Sequence, residues 1–162
     1  MSEIHINIGS NQNRRHNVAQ AIEALKMNFF NVVCSDIFES AAVGFKGMDF
    51  YNMGVNATTD LSITDVLSVL HTIENNQGRD RSQPKFSSRK IDLDLVLYDK
   101  VVDEKNNLPR NDILKYNFVL LPLVQLSPQS VHPLENKTYK QLSATINQLK
   151  SYNIKILKRR NL

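Results

Sequence analysis

Ile91-Asp92-Leu93-Asp94-Leu95-Val96-Leu97-Tyr98 is the stretch on which the reading of this chain turns. It is aliphatic and aromatic, short, and bounded by a polar basic tract before it and Asp99-Lys100 after it, so it reads as a strong strand. Residues two apart on a strand share a face. Asp92 and Asp94 therefore project together, while Leu93, Leu95 and Leu97 fill the opposite side. Val101-Val102, just past Asp99-Lys100, reads as its hairpin partner. Upstream, residues 77–90 hold Gly78, Pro84 and several serines and glutamines with little apolar content, a long loop. Before it a helix starts at Ser62, capped with Asp65 three residues on, and buries Val66, Leu67, Leu70 and Ile73.

The same reading extends to both ends. Met53, Val55 and Ala57 alternate in a strand that stops at Thr58-Thr59-Asp60, and residues 31–38 form another, rich in β-branched side chains. Between them, residues 40–49 contain Gly44 and Gly47, lack periodicity and form a loop. Val18, Ile22, Leu25 and Phe29 recur at helical spacing over residues 12–29, and Ile4, Ile6 and Ile8 make a first strand ending at Gly9-Ser10-Asn11. Downstream, short helices are expected over 111–115, 117–126 and 139–149, with a last strand over 152–157. Strand, helix, strand, strand, helix, strand is the βαββαβ order of a ferredoxin-like α+β sandwich, here with extra C-terminal helices and strands. One domain over residues 1–162 is expected, and the fold alone does not specify an activity.

Composition narrows the classes. The chain has 162 residues, 41% hydrophobic and 22% charged, values of a globular protein with a real core. No apolar run approaches the ~20 residues of a spanning helix, and the N-terminus has no secretory pattern. Cys34 is the one cysteine, which excludes an internal disulfide and any multi-cysteine metal site. A cytoplasmic protein without a membrane partner is expected, most simply a monomer.

The formal charge of +4 is unevenly placed. Residues 79–90 carry Arg79, Arg81, Lys85, Arg89 and Lys90 against Asp80 alone. Residues 150–162 carry Lys150, Lys155, Lys158, Arg159 and Arg160 with no acid, and read as a solvated terminus. The loop is the more telling, because it runs directly into the strand that bears Asp92 and Asp94.

Two carboxylates ~7 Å apart at their α-carbons repel each other and resist burial, so a cation should offset them. Hard oxygen ligands suit Mg²⁺, which takes few carboxylates and leaves positions for water and phosphate. The plainer alternatives are a solvated strand face or a pair neutralised by neighbouring arginines. A carboxylate pair beside mobile guanidinium groups matches what a nucleoside triphosphate requires. Neither G-x-x-x-x-G-K-[ST] nor G-x-G-x-x-G occurs, so any nucleotide site must be built from side chains and metal. His5, His16, His71 and His132 have no nucleophile motif around them and read as packing or surface residues. His71 stands out only because its helix leads into the basic loop.

Ile6-Asn7-Ile8-Gly9-Ser10-Asn11, Asp49-Phe50-Tyr51-Asn52, Gln77-Gly78-Arg79-x-Arg81 and Arg89-Lys90-Ile91-Asp92-Leu93-Asp94-Leu95-Val96-Leu97 resemble, in order, the 6-hydroxymethyl-7,8-dihydropterin pyrophosphokinase family. The resemblance runs from about residue 3 to 145. It implies a ferredoxin-like fold and transfer of pyrophosphate from ATP, as co-substrate, to the pterin hydroxymethyl oxygen, with two Mg²⁺ ions and release of AMP. By position, it makes Asp92 and Asp94 the metal ligands and Arg79 and Arg89 the catalytic arginines that steady the transferring phosphates. His71, Glu74, Arg81, Lys105, Asn107, Arg110 and Tyr116 fall at ATP-contacting positions. Ser40, Val43, Phe50, Asn52 and Phe118 fall at pterin-contacting positions, with the flat ring between the two phenylalanines. Read without the resemblance, both phenylalanines are core residues.

The chain departs from the family pattern in places. Phe86 stands for a usual Trp, and Ser87-Ser88 for Gly-Pro. Pro109-Arg110 replaces a Pro-His step, and Tyr116 replaces an arginine, with Lys115 beside it. These changes bear on phosphate contacts more than on substrate class. Two other readings stay open: a pterin-binding paralogue with weakened or lost transferase activity, and a basic ferredoxin-like nucleic-acid-binding module. Against the second, no RNP1-like glycine–aromatic run occurs, and an acidic pair repels phosphate without metal.

Overall fold

The alternating isoleucines build the centre of the sheet. Ile4, Ile6 and Ile8 lie on β1 (Ser2–Ser10) and are buried. β1 pairs antiparallel with β4 (Phe50–Thr59) over its whole length, from Ser2↔Thr59 to Ser10↔Tyr51. On its other side β1 pairs with β5 (Asp92–Tyr98). β2 (Phe30–Cys34) and β3 (Ile37–Ser40) both pair with β4, and β6 (Lys155–Leu157) pairs with β3, giving the order β5-β1-β4-β3-β6 with β2 beside β4. The computed structural model describes residues 1–78, 82, 90–145 and 154–159. Among these residues no helix is long and apolar enough to cross a membrane.

The sheet has two unlike faces. Ile4, Ile6, Ile8, Met53, Val55, Leu93 and Leu95 join one apolar core with Val18, Leu25, Val66 and Leu70 from α1 (Arg14–Asn28) and α2 (Ile63–Asn76). The anticipated cap of α2 is present, with Ser62 Oγ accepting from the Asp65 amide at 3.2 Å. The opposite face is only partly covered. There α3 (Asn117–Leu126) and α4 (Tyr139–Thr145) bury Val119, Leu120, Leu123 and Tyr139 with Val96 in a second, smaller core. The βαββαβ plan therefore holds, with additional C-terminal elements.

Several local expectations are corrected. The strand read over residues 31–38 is two strands, because Ser35 leaves the ladder. Its amide donates to Gly54 O at 2.9 Å and its hydroxyl accepts from the Gly54 amide at 2.9 Å. Val101-Val102 forms no hairpin: β5 pairs with β1, and the turn docks there through Asp99 N to Glu3 O and Glu3 N to Asp99 Oδ1, both 2.7 Å. Leu97 does not continue the Leu93–Leu95 face. His5 pairs with Leu97 and Ile6 with Leu95, so Val96 is an extra residue in a β-bulge. Beyond the bulge Leu97 packs on the second core, while Tyr98 returns to the first.

The basic terminus is not simply solvated either. β6 adds to the sheet edge, Lys158 Nζ lies 3.3 Å from Asp36, and the Arg159 amide donates to Asp36 Oδ1 at 3.0 Å. The Arg159 amide first, then Gln125 Nε2 donating to Asp36 Oδ2 at 2.9 Å and Lys158, hold the Asp36 carboxyl below its ordinary value. Of the helix expected over 139–149, residues 146–149 lie outside the described residues.

Candidate active site

On the less covered face, β4, β1 and β5 run side by side and set their polar residues in one row. Gly9 is in register with Asn52 on one side and with Asp92 on the other, and Asn7 with Asp94. These residues floor a cavity of about 620 Å³, within the usual range for small-molecule sites. One wall is Ser40, Val43, Phe45 and Phe50, from the end of β3 through the loop into β4; the other is Asn107, Arg110, Lys115, Tyr116 and Phe118. The loop is tied down at its far end, where Asn11 Nδ2 donates to Met48 O at 3.2 Å and Arg14 Nη1 to Asp49 O at 2.9 Å.

One end of the cavity suits a flat, polar-edged ring. Phe50 meets Phe45 edge to face, centroids 6.3 Å apart, and Phe118 stacks on Tyr116 at 5.1 Å and 15°. Phe50 and Phe118 are half-buried and line the cavity, and Phe118 also packs against the second core. Asn52 is buried, and its Nδ2 donates to Phe38 O at 2.9 Å and Ser40 Oγ at 2.8 Å. Both amide hydrogens are thus used, which leaves the Asn52 oxygen to accept from a ligand.

The other end is acidic. Burial and, next, the neighbouring Asp92 push the Asp94 carboxyl up to about 7, against a partial counterpull from Arg110. Among the described residues a cation does stand beside this pair: Arg110 Nη2 lies 3.5 Å from Asp94 Oδ1, while its Nε donates to Asp112 Oδ2 at 2.9 Å. A carboxyl whose folded pKa exceeds its ordinary value favours the folded state while protonated and loses that contribution as pH rises through the folded value. Metal-free protein should therefore lose stability between about pH 4 and about pH 7. Urea midpoints across this range should fall less steeply in Asp94→Asn, and parallel curves would contradict the assignment.

The donor set fits Mg²⁺. Two carboxylates share a strand face, and the amide oxygen of buried Asn7, in register with Asp94, has no hydrogen-bond partner. Among the described residues no group of three or more His, Cys, Asp or Glu converges, so the pair is a partial set that phosphate oxygens and water would complete.

Not every candidate comes to the cavity. Glu74 is buried on α2 and its Oε2 accepts from the Leu93 amide at 3.3 Å. His71 is exposed on α2, and Lys105 is exposed in a 3-10 turn, Glu104–Asn106. Arg79, Arg81 and Arg89, with Lys85 and Phe86, lie outside the described residues. The structure adds Asn7, Gly9, Phe45 and Asp112 to the lining. Of these, Asn7 had a signal, a polar residue between isoleucines on a strand. Gly9 joins the two ends of the cavity: a Cβ there would sit 3.9 Å from Asn52 Oδ1, Asp92 Cβ and Phe50 Cδ1. Gly9→Ala should therefore fold normally yet raise the KM for a ligand spanning both ends severalfold, measured by steady-state kinetics beside a thermal melt.

An antiparallel sheet backed by two helices, with an aromatic wall and a carboxylate pair on its open face, is a ferredoxin-like α+β fold with a small-molecule cleft. A crystal structure of a Plasmodium falciparum HPPK-DHPS triple mutant with pteroate superposes with a TM-score of 0.70 at 12% identity, over 88% of this chain and 43% of that one. That likeness carries the fold alone. The family model described as 7,8-dihydro-6-hydroxymethylpterin-pyrophosphokinase (HPPK) matches residues 5–128, and the chain belongs to this family. The 2-amino-4-hydroxy-6-hydroxymethyldihydropteridine pyrophosphokinase of Aquifex aeolicus is 30% identical over 145 residues, 87% of this chain and 90% of the relative. The Haemophilus influenzae protein of the same name is 31% identical over 140 residues, 82% of this chain and 86% of the relative. A mitochondrial folate synthesis bifunctional protein of Arabidopsis thaliana is 34% identical over 134 residues, of which this chain covers only 24%.

Proposed function

We propose that the chain, as one domain, transfers pyrophosphate from ATP to the hydroxymethyl oxygen of 6-hydroxymethyl-7,8-dihydropterin, forming the pterin diphosphate and AMP. The observation that carries this is the single cavity in which Gly9 stands between Asn52 and Phe50 on one side and Asp92 on the other. A ring at the aromatic end would place its substituent towards the carboxylates. Phe50 and Phe118 would sandwich the ring, and Asn52, with Ser40 and Val43, would read its edge.

Asp92 and Asp94 would hold two Mg²⁺ ions, which when bound neutralise charge on the phosphates. Arg110, Tyr116 and Asn107 would border the triphosphate. Arg79 and Arg89 as phosphate-steadying residues, and His71, Glu74, Arg81 and Lys105 as nucleotide contacts, are supported by the sequence resemblance. In the displacement, the hydroxymethyl oxygen bonds to the β-phosphorus, the bond from that phosphorus to the bridging oxygen of the α-phosphate breaks, and the hydroxyl proton is lost. The residues act by positioning and by excluding water, with no covalent enzyme intermediate.

AMP release tests the proposal. It should require both hydroxymethyldihydropterin and Mg²⁺; AMP formed equally well without the pterin would overturn it.

A further inference from the structure

We propose that Arg110 is the counter-ion of Asp94 when no nucleotide is bound and sets how tightly the site takes a bare divalent cation. This rests on the reading of Asp92 and Asp94 as metal ligands. Arg110 and Asp94 are equally half-buried, each 28% exposed, with Nη2 and Oδ1 3.5 Å apart. One backbone bond and two guanidinium contacts place Arg110 there. The Arg110 amide donates to Val96 O at 2.9 Å, on the bulge just past Asp94, and Nε donates to Asp112 Oδ2 at 2.9 Å. The third, to Asp94, is the longest of them.

That ranking has a physical consequence. A bare cation approaching Asp94 meets a fixed positive charge and must displace one arm of the fork, while Asp112 keeps the rest in place. Arg110 then stays tethered in the cavity, with the freed Nη2 able to donate to a phosphate oxygen. The same residue thus opposes a bare ion and favours an ion that arrives with phosphate. A neutral side chain at this position would remove the opposition, and a lysine would keep the charge but lose the planar fork.

The test is Mn²⁺ binding to the full chain without nucleotide, with free Mn²⁺ measured by electron paramagnetic resonance at fixed neutral pH. Arg110→Gln and Arg110→Met should bind Mn²⁺ about tenfold tighter than wild type, and Arg110→Lys should bind about as wild type does. Asp94→Asn should lose most of the affinity. Two neutral substitutions guard against one that fails to fold, which circular dichroism detects. If both neutral variants bind no tighter than wild type while Asp94→Asn loses the ion, the metal reading stands and the counter-ion role is overturned. Arg110→Lys binding as tightly as Arg110→Gln overturns it too, because the charge was retained. Unchanged affinity in Asp94→Asn instead removes the metal reading itself.

Discussion

Asp92→Ala and Asp94→Ala should each reduce AMP formation to background, a loss of at least about a thousandfold, in a protein that still folds. Both parts follow from the strand that bears these residues. The packing of β5 is carried by Leu93 and Leu95, which are buried in the main core, and by Val96 in the second. Neither aspartate contributes to those clusters. Asp94 is instead a liability in the metal-free protein, since burial and Asp92 push its carboxyl up to about 7. Removing Asp94 ends that cost, so the melting temperature of metal-free Asp94→Ala should equal or exceed that of wild type. Catalysis has no such reserve, because no third carboxylate, histidine or cysteine converges on the pair among the described residues. The measurement is AMP by chromatography alongside a thermal melt. Normal turnover in either variant would remove the metal assignment.

Gly54→Ala should destabilise the protein by about 1–3 kcal/mol and impair substrate binding with it. Gly54 lies on β4 opposite Asn7, where α3 crosses the sheet, and a Cβ there would stand 2.7 Å from Pro122 Cβ and 2.8 Å from His5 Cε1. Neither neighbour yields easily. Pro122 is buried within α3, and His5 is buried beneath it with Nδ1 and Asn56 Oδ1 2.6 Å apart. Burial also lowers the His5 imidazole to about 4, so it stays neutral at ordinary pH and adds no repulsion of its own. The added methyl group must push α3 outward. Because Phe118 and Tyr116 stand at the start of that helix, the shift would widen the cavity wall. Denaturant melts and pterin titration check the two effects. A melt unchanged from wild type would show that α3 does not rest on Gly54 as described.

How far the sequence reaches depends on whether a feature is local. The strand centred on Leu95, the Ser62 cap and the 117–126 helix follow from spacing within a few residues, and all three are present. The break at Ser35 and the bulge at Val96 depend on the partner strand, through Gly54 and His5, and periodicity within one strand carries no trace of them. The site divides in the same way. Asp92 and Asp94 announce themselves as acids on an apolar strand, and the family motifs point to Phe50, Asn52 and Phe118. Asp112, by contrast, matters only because it holds Arg110 against Asp94, a contact between β5 and a distant turn. The demand for a cation beside the acids was legible as Mg²⁺ or the arginines of the 79–90 loop; that Arg110 also comes to Asp94 required the fold.

On the proposed function, one cavity brings the pterin hydroxymethyl group to the β-phosphorus of ATP. The most direct measurement follows label from ATP carrying ³²P at the β-position, incubated with the protein, Mg²⁺ and 6-hydroxymethyl-7,8-dihydropterin. The label should appear in the pterin diphosphate while the AMP formed is unlabelled. Label retained in ADP, or released as inorganic pyrophosphate with the pterin unchanged, would contradict it.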